Sequence, residues 1–331
     1  MKITKKYFLK NINISIITIL FNIMTFNAYS QNNILENDTL IINFKDVKIY
    51  NLSNINSKDD EISPIILKDG LTLYFASNRS GSISNYDGFT YDFWNCSKSN
   101  NYDTIFTLPF NIDSTNKYND LGLNSTKNEG AGAVTLNEKY FFFTSCNRIN
   151  GFGDCDLYVS ELINEEWGKA KNLGRKINSP YWDSQPTITT DNSRIYFVSN
   201  RPGPNGYANM DIWYSDFNFE KNEWLPAKNL EEINSPGKEY SPFIFYDNKT
   251  LFFATNGWKP NFGGLDIWYS KLDLESGTWS IPINLGKSIN SKEDDCFPFI
   301  SQNAKLMYFS SKRKDISGYK GGYDIFMAIL K

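Results

Sequence analysis

The stretch that decides the fold is Asp183–Asn229, DSQPTITTDNSRIYFVSNRPGPNGYANMDIWYSDFNFEKNEWLPAKN. An acid stands three places before a proline (Asp183, Pro186). After a turn at Asp191–Asn192 an apolar run, Arg194–Val198, ends in Ser199–Asn200–Arg201. A Gly/Pro loop leads to Asp211–Ser215, and Trp224 opens a last run that closes at Asn229–Leu230 and Ile233–Asn234–Ser235. Each run is short and rich in Ile, Tyr, Phe, Val and Trp, the signature of strands. Four short strands joined by turns read as one propeller blade.

The same order recurs along the chain. The acid markers are Glu61, Glu129, Asp183, Glu239 and Asp295, separated by 68, 54, 56 and 56 residues. A near-constant step with one long member is a true repeat carrying one insertion, read here as the Asn- and Lys-rich segment Thr115–Asn128 that follows Ile112–Asp113–Ser114. In the first unit the last run is read at Thr104–Leu108. The fifth unit stops after Asp324–Leu330 and lacks a final strand. The spare strand lies at the other end: Val47–Leu52, followed by Ile55–Asn56–Ser57, matches the close of a unit. The expected fold is therefore all-β, a five-bladed propeller of four-stranded antiparallel blades whose ring is closed by the N-terminal strand, which removes the exposed edges. Six blades would need more chain, and an open solenoid leaves the N-terminal match unexplained.

Ahead of the repeats, Lys2, Lys5, Lys6 and Lys10 precede the apolar stretch Ile14–Phe26 and Ala28–Tyr29–Ser30, which reads as a secretory signal cleaved after Ser30, with an uncleaved anchor as the alternative. The expected division is 1–30 signal peptide, 31–45 extension, 46–331 propeller. Removal of the leader leaves 30 basic against 37 acidic residues, a net charge of −7. Nucleic acid is then an unsuitable partner, and no basic block marks a membrane surface. Export also places the four cysteines in an oxidising setting. Cys146 and Cys155 face each other across a presumed hairpin, so a cross-strand disulfide is geometrically reasonable. Cys96 and Cys296 show no partner from sequence.

The acid-x-x-Pro marker, the strand ending Ser–Asn–Arg, and the Gly–Gly–x–Asp–Ile–Trp–Tyr–Ser run around Gly264 resemble the WD40-like (PD40-type, TolB-like) propeller repeats of bacterial envelope proteins. The resemblance spans nearly all of 47–331, and it implies the propeller fold and an envelope or periplasmic setting without implying an activity.

In such a blade the entry to the first strand and the loop between the second and third strands share one face. Glu61, Glu129, Asp183, Glu239 and Asp295 are thus expected around one channel mouth, as a site for a cation or a hydroxyl-rich or amino-bearing ligand, or else as caps for backbone N–H groups and partners of Arg79, Arg201 and Arg313. The non-repeating loop aromatics Tyr207, Trp258, Phe262 and Tyr319 are the candidates for partner specificity. Asp156, Asp211, Asp266 and Asp324 read as local turn caps, and Trp167, Trp224 and Trp279 as packing between blades. With no histidine in the chain, Ser-His-Asp and Cys-His catalysis and His-ligated metals are excluded. No cofactor and no metal are expected. Two function classes follow: an exported non-enzymatic scaffold that engages an envelope protein or glycan through the loop face, and, as the alternative, a carbohydrate-active hydrolase using a carboxylate pair at the channel mouth, such as Asp183 and Glu239.

Overall fold

The computed structural model describes residues 42–83, 90–204, 206 and 208–331, which fall within one compact unit. Five antiparallel sheets follow the five sequence units. Blade 1 is built from Glu61–Ile66, Thr72–Ser77, Asp92–Ser97 and Phe110–Asn111, and blade 2 from Asn128–Val134, Tyr140–Cys146, Cys155–Ile163 and Lys171–Asn172. Blade 3 comprises Asp183–Ile188, Arg194–Ser199, Asp211–Asn218 and Lys228–Asn229; blade 4 comprises Glu239–Ile244, Thr250–Thr255, Asp266–Lys271 and Ile283–Asn284. Blade 5 takes Asp295–Ile300, Leu306–Ser311 and Asp324–Ile329 from the C-terminal end. Its fourth strand is Lys48–Asn51, with Lys48 opposite Ile329 and Asn51 opposite Phe326. The ring closes as the repeat spacing requires. The described residues contain strands and turns but no helix, hence none long and apolar enough to cross a membrane.

Apolar side chains fill the spaces between blades. Phe141 of blade 2 meets Tyr74 of blade 1, and Phe299 of blade 5 meets Phe243 of blade 4 at 5.0 Å between ring centres. Trp224 and Trp279 each reach back to the preceding blade, onto Phe142 and Tyr196, so these tryptophans pack between blades as their repetition implied.

Blade 1 departs from the sequence reading. Its outer strand is Phe110–Asn111, not Thr104–Leu108, whose Ile105 and Leu108 are exposed. The closing marker is Leu123–Asn124–Ser125 rather than Ile112–Asp113–Ser114. Asn124 Oδ1 accepts from Phe93 N–H at 2.7 Å, its Nδ2 donates to Phe93 C=O at 2.9 Å, and its amide also bonds Asn111. Asn56, Asn178, Asn234 and Asn290 do the same for Ile325, Leu157, Ile212 and Ile267. A carboxamide imitates a backbone unit here and extends the sheet past its last strand. The insertion therefore lies between Asn111 and Leu123.

Cys146 and Cys155 sit directly opposite in blade 2 and form a disulfide, while Cys96 and Cys296 are free and buried. The bond closes a loop of 9 residues. Converting both cysteines to serine is expected to lower stability by about 2–3 kcal/mol on the loop-entropy scale. The thermal midpoint checks this, and in the variant it should no longer respond to added reductant.

Candidate functional site

The five marker acids do not line an open mouth. Glu61, Glu129, Asp183, Glu239 and Asp295 are each 0% exposed. In blade 5, Asp295 accepts from Ser291 N–H and Oγ and from Ser311 Oγ. Arg313 reaches it at 2.7 Å while also bonding Ile289 C=O. Glu61 with Ser57, Ser77 and Arg79 repeats this arrangement, as does Asp183 with Ser179 and Arg201. In blade 2, Glu129 uses Ser125, Ser145 and Arg148. Each acid ties the incoming chain to the end of the second strand, so the expectation that these groups face a ligand is corrected. A buried charge persists only when paired and hydrogen-bonded, and these are.

Blade 4 is the exception. Its second strand ends Thr255–Asn256–Gly257, with glycine in the arginine position. Trp258 Nε1 donates to Ile233 C=O at 2.9 Å, doing for that carbonyl what the arginines do for Ile55, Ile177 and Ile289. The indole brings no charge. Glu239 keeps Ser235 and Thr255 as donors to Oε1 while Oε2 has no partner, and burial pushes its pKa up to about 7. Of the other loop aromatics, Phe262 is half-buried and lends its N–H to Asp266; Tyr319 is half-buried beneath the Lys314 ammonium. Tyr207 lies outside the described residues. Asp156, Asp266 and Asp324 cap their loops, each accepting the N–H four residues earlier and an outer-strand asparagine; Asp211 accepts from Asn229.

A second set of carboxylates, only half-buried, stands one place earlier than the marker acids. That position holds Asp60, Asn128, Trp182, Lys238 and Asp294 around the ring. Asp60 and Asp294 belong to the adjoining blades 1 and 5, and Tyr323 connects them. Its N–H donates to Asp60 Oδ1 at 2.8 Å and its hydroxyl to Asp294 Oδ2 at 3.0 Å. One tyrosine thus bridges the two carboxyls. Tyr91 hydroxyl donates to Asp60 Oδ2 at 2.5 Å, and burial pushes both phenols up, so they remain proton donors. Burial also works against ionisation of Asp294. It is outweighed by donation from Leu265 N–H, Lys312 and Tyr323, which leaves Asp294 below the usual carboxylate range. Sequence reasoning passed over both residues because it looked for what repeats. The signal was a position that does not.

The channel itself is narrow. In every inner strand a bulge puts one residue into the left-handed region: Ser63, Ala131, Gln185, Ser241 and Phe297, with φ from 41° to 57°. The residues that follow, Pro64, Gly132, Pro186, Pro242 and Pro298, line a cavity of about 70 Å³. Bonds between blades, such as Phe297 N–H to Ser241 Oγ at 2.9 Å, hold several bulges in place. A larger cavity, about 280 Å³, opens at the end opposite the marker acids, where the first and second strands of the blades turn.

No family model matches the chain, and no curated protein matches it. Solved structures do. One described as a glycoside hydrolase has a TM-score of 0.57 at 7% identity, covering 86% of this chain and 92% of its own. A thermostable family-43 glycoside hydrolase has a TM-score of 0.53 at 17% identity, covering 83% and 90%. An α-L-arabinofuranosidase from Podospora anserina, solved with cellotriose, has a TM-score of 0.51 at 12% identity, covering 82% and 91%. At these identities the likeness shows the fold. It overturns the expectation of a non-enzymatic scaffold, because the architecture this chain shares is one on which glycoside hydrolases are built, and that expectation is withdrawn.

Proposed function

We propose that the protein is a carbohydrate-active hydrolase of the TolB-like repeat class, exported through its N-terminal leader, with Asp60 and Asp294 as its working carboxylates. The observation that carries the reading is the pair itself. Two half-buried acids of adjoining blades are bridged by one tyrosine, and glycosidases work with two carboxyls roughly 5–10 Å apart. Asp294, kept ionised beside Lys312, stabilises the positive charge that develops at the sugar's anomeric carbon. Asp60, which contacts no cation among the described residues, is assigned the second carboxyl role, at the leaving oxygen, with Tyr91 and Tyr323 as its hydrogen-bond partners. The kinship in fold with glycoside hydrolases supports this class, and the Cys146–Cys155 disulfide supports an oxidising compartment.

The test is release of new reducing ends from a panel of plant and bacterial glycans. Asp294→Asn and Asp60→Asn preserve shape and are expected to lower turnover by about 10²–10⁴-fold while the protein still unfolds in one cooperative thermal transition. No turnover of any glycan by the unaltered protein, or full activity in both variants, would sink the assignment.

A further inference from the structure

We propose that the 280 Å³ cavity at the turn end of the channel binds a single sugar residue that carries no acid group. This goes beyond the hydrolase reading, because the cavity lies at the other end of the channel from Asp60 and Asp294 and its occupancy requires no turnover.

The turns that build this end share one backbone frame in all blades. Each has an Asp or Asn (Asp69, Asn137, Asp191, Asp247, Asn303) that accepts the N–H two residues on. Each then has a left-handed residue, Gly70, Glu138, Asn192, Asn248 or Ala304. The residue before the Asp or Asn is instead Lys68, Leu136, Thr190, Tyr246 or Gln302. Four of these variable residues line the cavity, and Thr190 lines the narrower one behind it. On a repeat scaffold, invariant positions make the frame, and a varying position aimed at a cavity makes specificity.

The lining has the two components that recognise a sugar ring. Val134, Phe299 and Leu306, with the Tyr246 ring, give an apolar floor for C–H faces. Among the lining residues, the Asn101 and Gln302 amides and the Tyr246 hydroxyl make no hydrogen bond within the described residues, and Tyr102 is 51% exposed. Unused donors and acceptors over an apolar floor are what a polyhydroxylated ring requires. The wall is firm: Lys98, itself buried, donates to Asn101 C=O at 2.5 Å and to Tyr308 Oη at 2.7 Å, anchoring the loop that carries Asn101 and Tyr102. The volume sits just under the roughly 300 Å³ at which drug-sized pockets begin, enough for one ring and too little for a chain.

Charge narrows the class. Asp69 accepts from Leu71 N–H, Thr72 N–H and Thr72 Oγ1. Burial opposes its ionisation, but these donors outweigh it and leave the carboxyl below the usual range. Glu138 clasps Lys68 N–H through Oε1 at 2.5 Å, leaving Oε2 for a ligand. Two carboxylates against the Lys68 ammonium, with the Lys98 ammonium turned into the wall and engaged by Asn101 C=O and Tyr308 Oη, favour neutral or amino sugars over uronic acids.

The experiment is calorimetric and saturation-transfer titration of the full chain with methyl glucoside, methyl galactoside, N-acetylglucosamine and glucuronate. At least one neutral sugar is expected to bind with a Kd on the order of 1 mM, and glucuronate not to bind. Leu136→Trp, which fills the cavity, should weaken binding at least tenfold with the thermal midpoint unchanged, and Tyr246→Phe should weaken it severalfold. Asp294→Asn should bind normally. Absence of saturable binding by every neutral sugar, undiminished binding in Leu136→Trp, or loss of binding in Asp294→Asn would each overturn the proposal. Binding without hydrolysis would overturn the hydrolase reading and leave this one standing, whereas hydrolysis without cavity binding does the reverse.

Discussion

Replacing Arg313 with methionine is expected to lower stability by about 3–5 kcal/mol, the usual consequence of stranding one member of a buried ion pair. Arg313 is 3% exposed and Asp295 0%. The substitution leaves the carboxylate with only its serine donors and leaves Ile289 C=O without its guanidinium. Urea unfolding of the two proteins at pH 7 measures the difference. Asp295→Asn in the same background should return a large part of it, because the stranded charge goes with the aspartate. A loss under about 1 kcal/mol, or no recovery in the double variant, would mean that the cluster is a surface ion pair in energetic terms and not a clasp.

The second large effect belongs to Glu239 and has the opposite sign. Its folded-state pKa is about 7 against an ordinary 4.5, so between those values the folded protein holds a proton that the unfolded chain has released. Stability from this group is therefore complete below about pH 4.5, declines as pH rises through about 7, and stays lower beyond. The step is on the order of 3 kcal/mol. Glu239→Gln supplies the neutral form permanently. Relative to the parent, the variant should be unchanged near pH 4 and more stable by that amount at pH 8–9. Urea midpoints of both proteins across pH 4–9 give the difference curve, and subtraction removes every other titrating group. A flat difference would show that Glu239 is ionised without strain and that Trp258 is no poorer a neighbour than arginine.

Most of the fold was legible because a propeller writes its local chemistry repeatedly. The Ser–Asn–Arg ending, the Ile–Asn–Ser close and the marker acid recur because each blade needs the same clasp, and recurrence made the blade count and the ring closure readable. The misplaced outer strand of blade 1 had a readable cue as well. The serine donor stands four residues before its acid at Ser57, Ser179, Ser235 and Ser291, and applying that spacing to Glu129 selects Ser125 over Ser114. The site was less legible for a physical reason. Repetition draws the eye to residues that serve every blade and are therefore buried in structural work, whereas Asp60, Asp294, Tyr246 and Gln302 sit where equivalents differ. The absence of an arginine beside Glu239 could be read from Gly257. That the indole of Trp258 would take over its carbonyl required coordinates.

The closure of blade 5 also bears on how the molecule is made. Asn51 and Asp324, bonded across the seam, are 273 residues apart. At roughly 5–20 residues per second of synthesis, the first strand waits on the order of tens of seconds for a partner that does not yet exist. Blades 1 to 4 can each complete themselves from neighbouring sequence during that interval, but Lys48–Asn51 remains an unsatisfied ribbon of amides until the last strand arrives. The ring thus latches only once Asp324–Ile329 is present, and a product truncated before that strand keeps an open flank that chaperones and proteases can recognise.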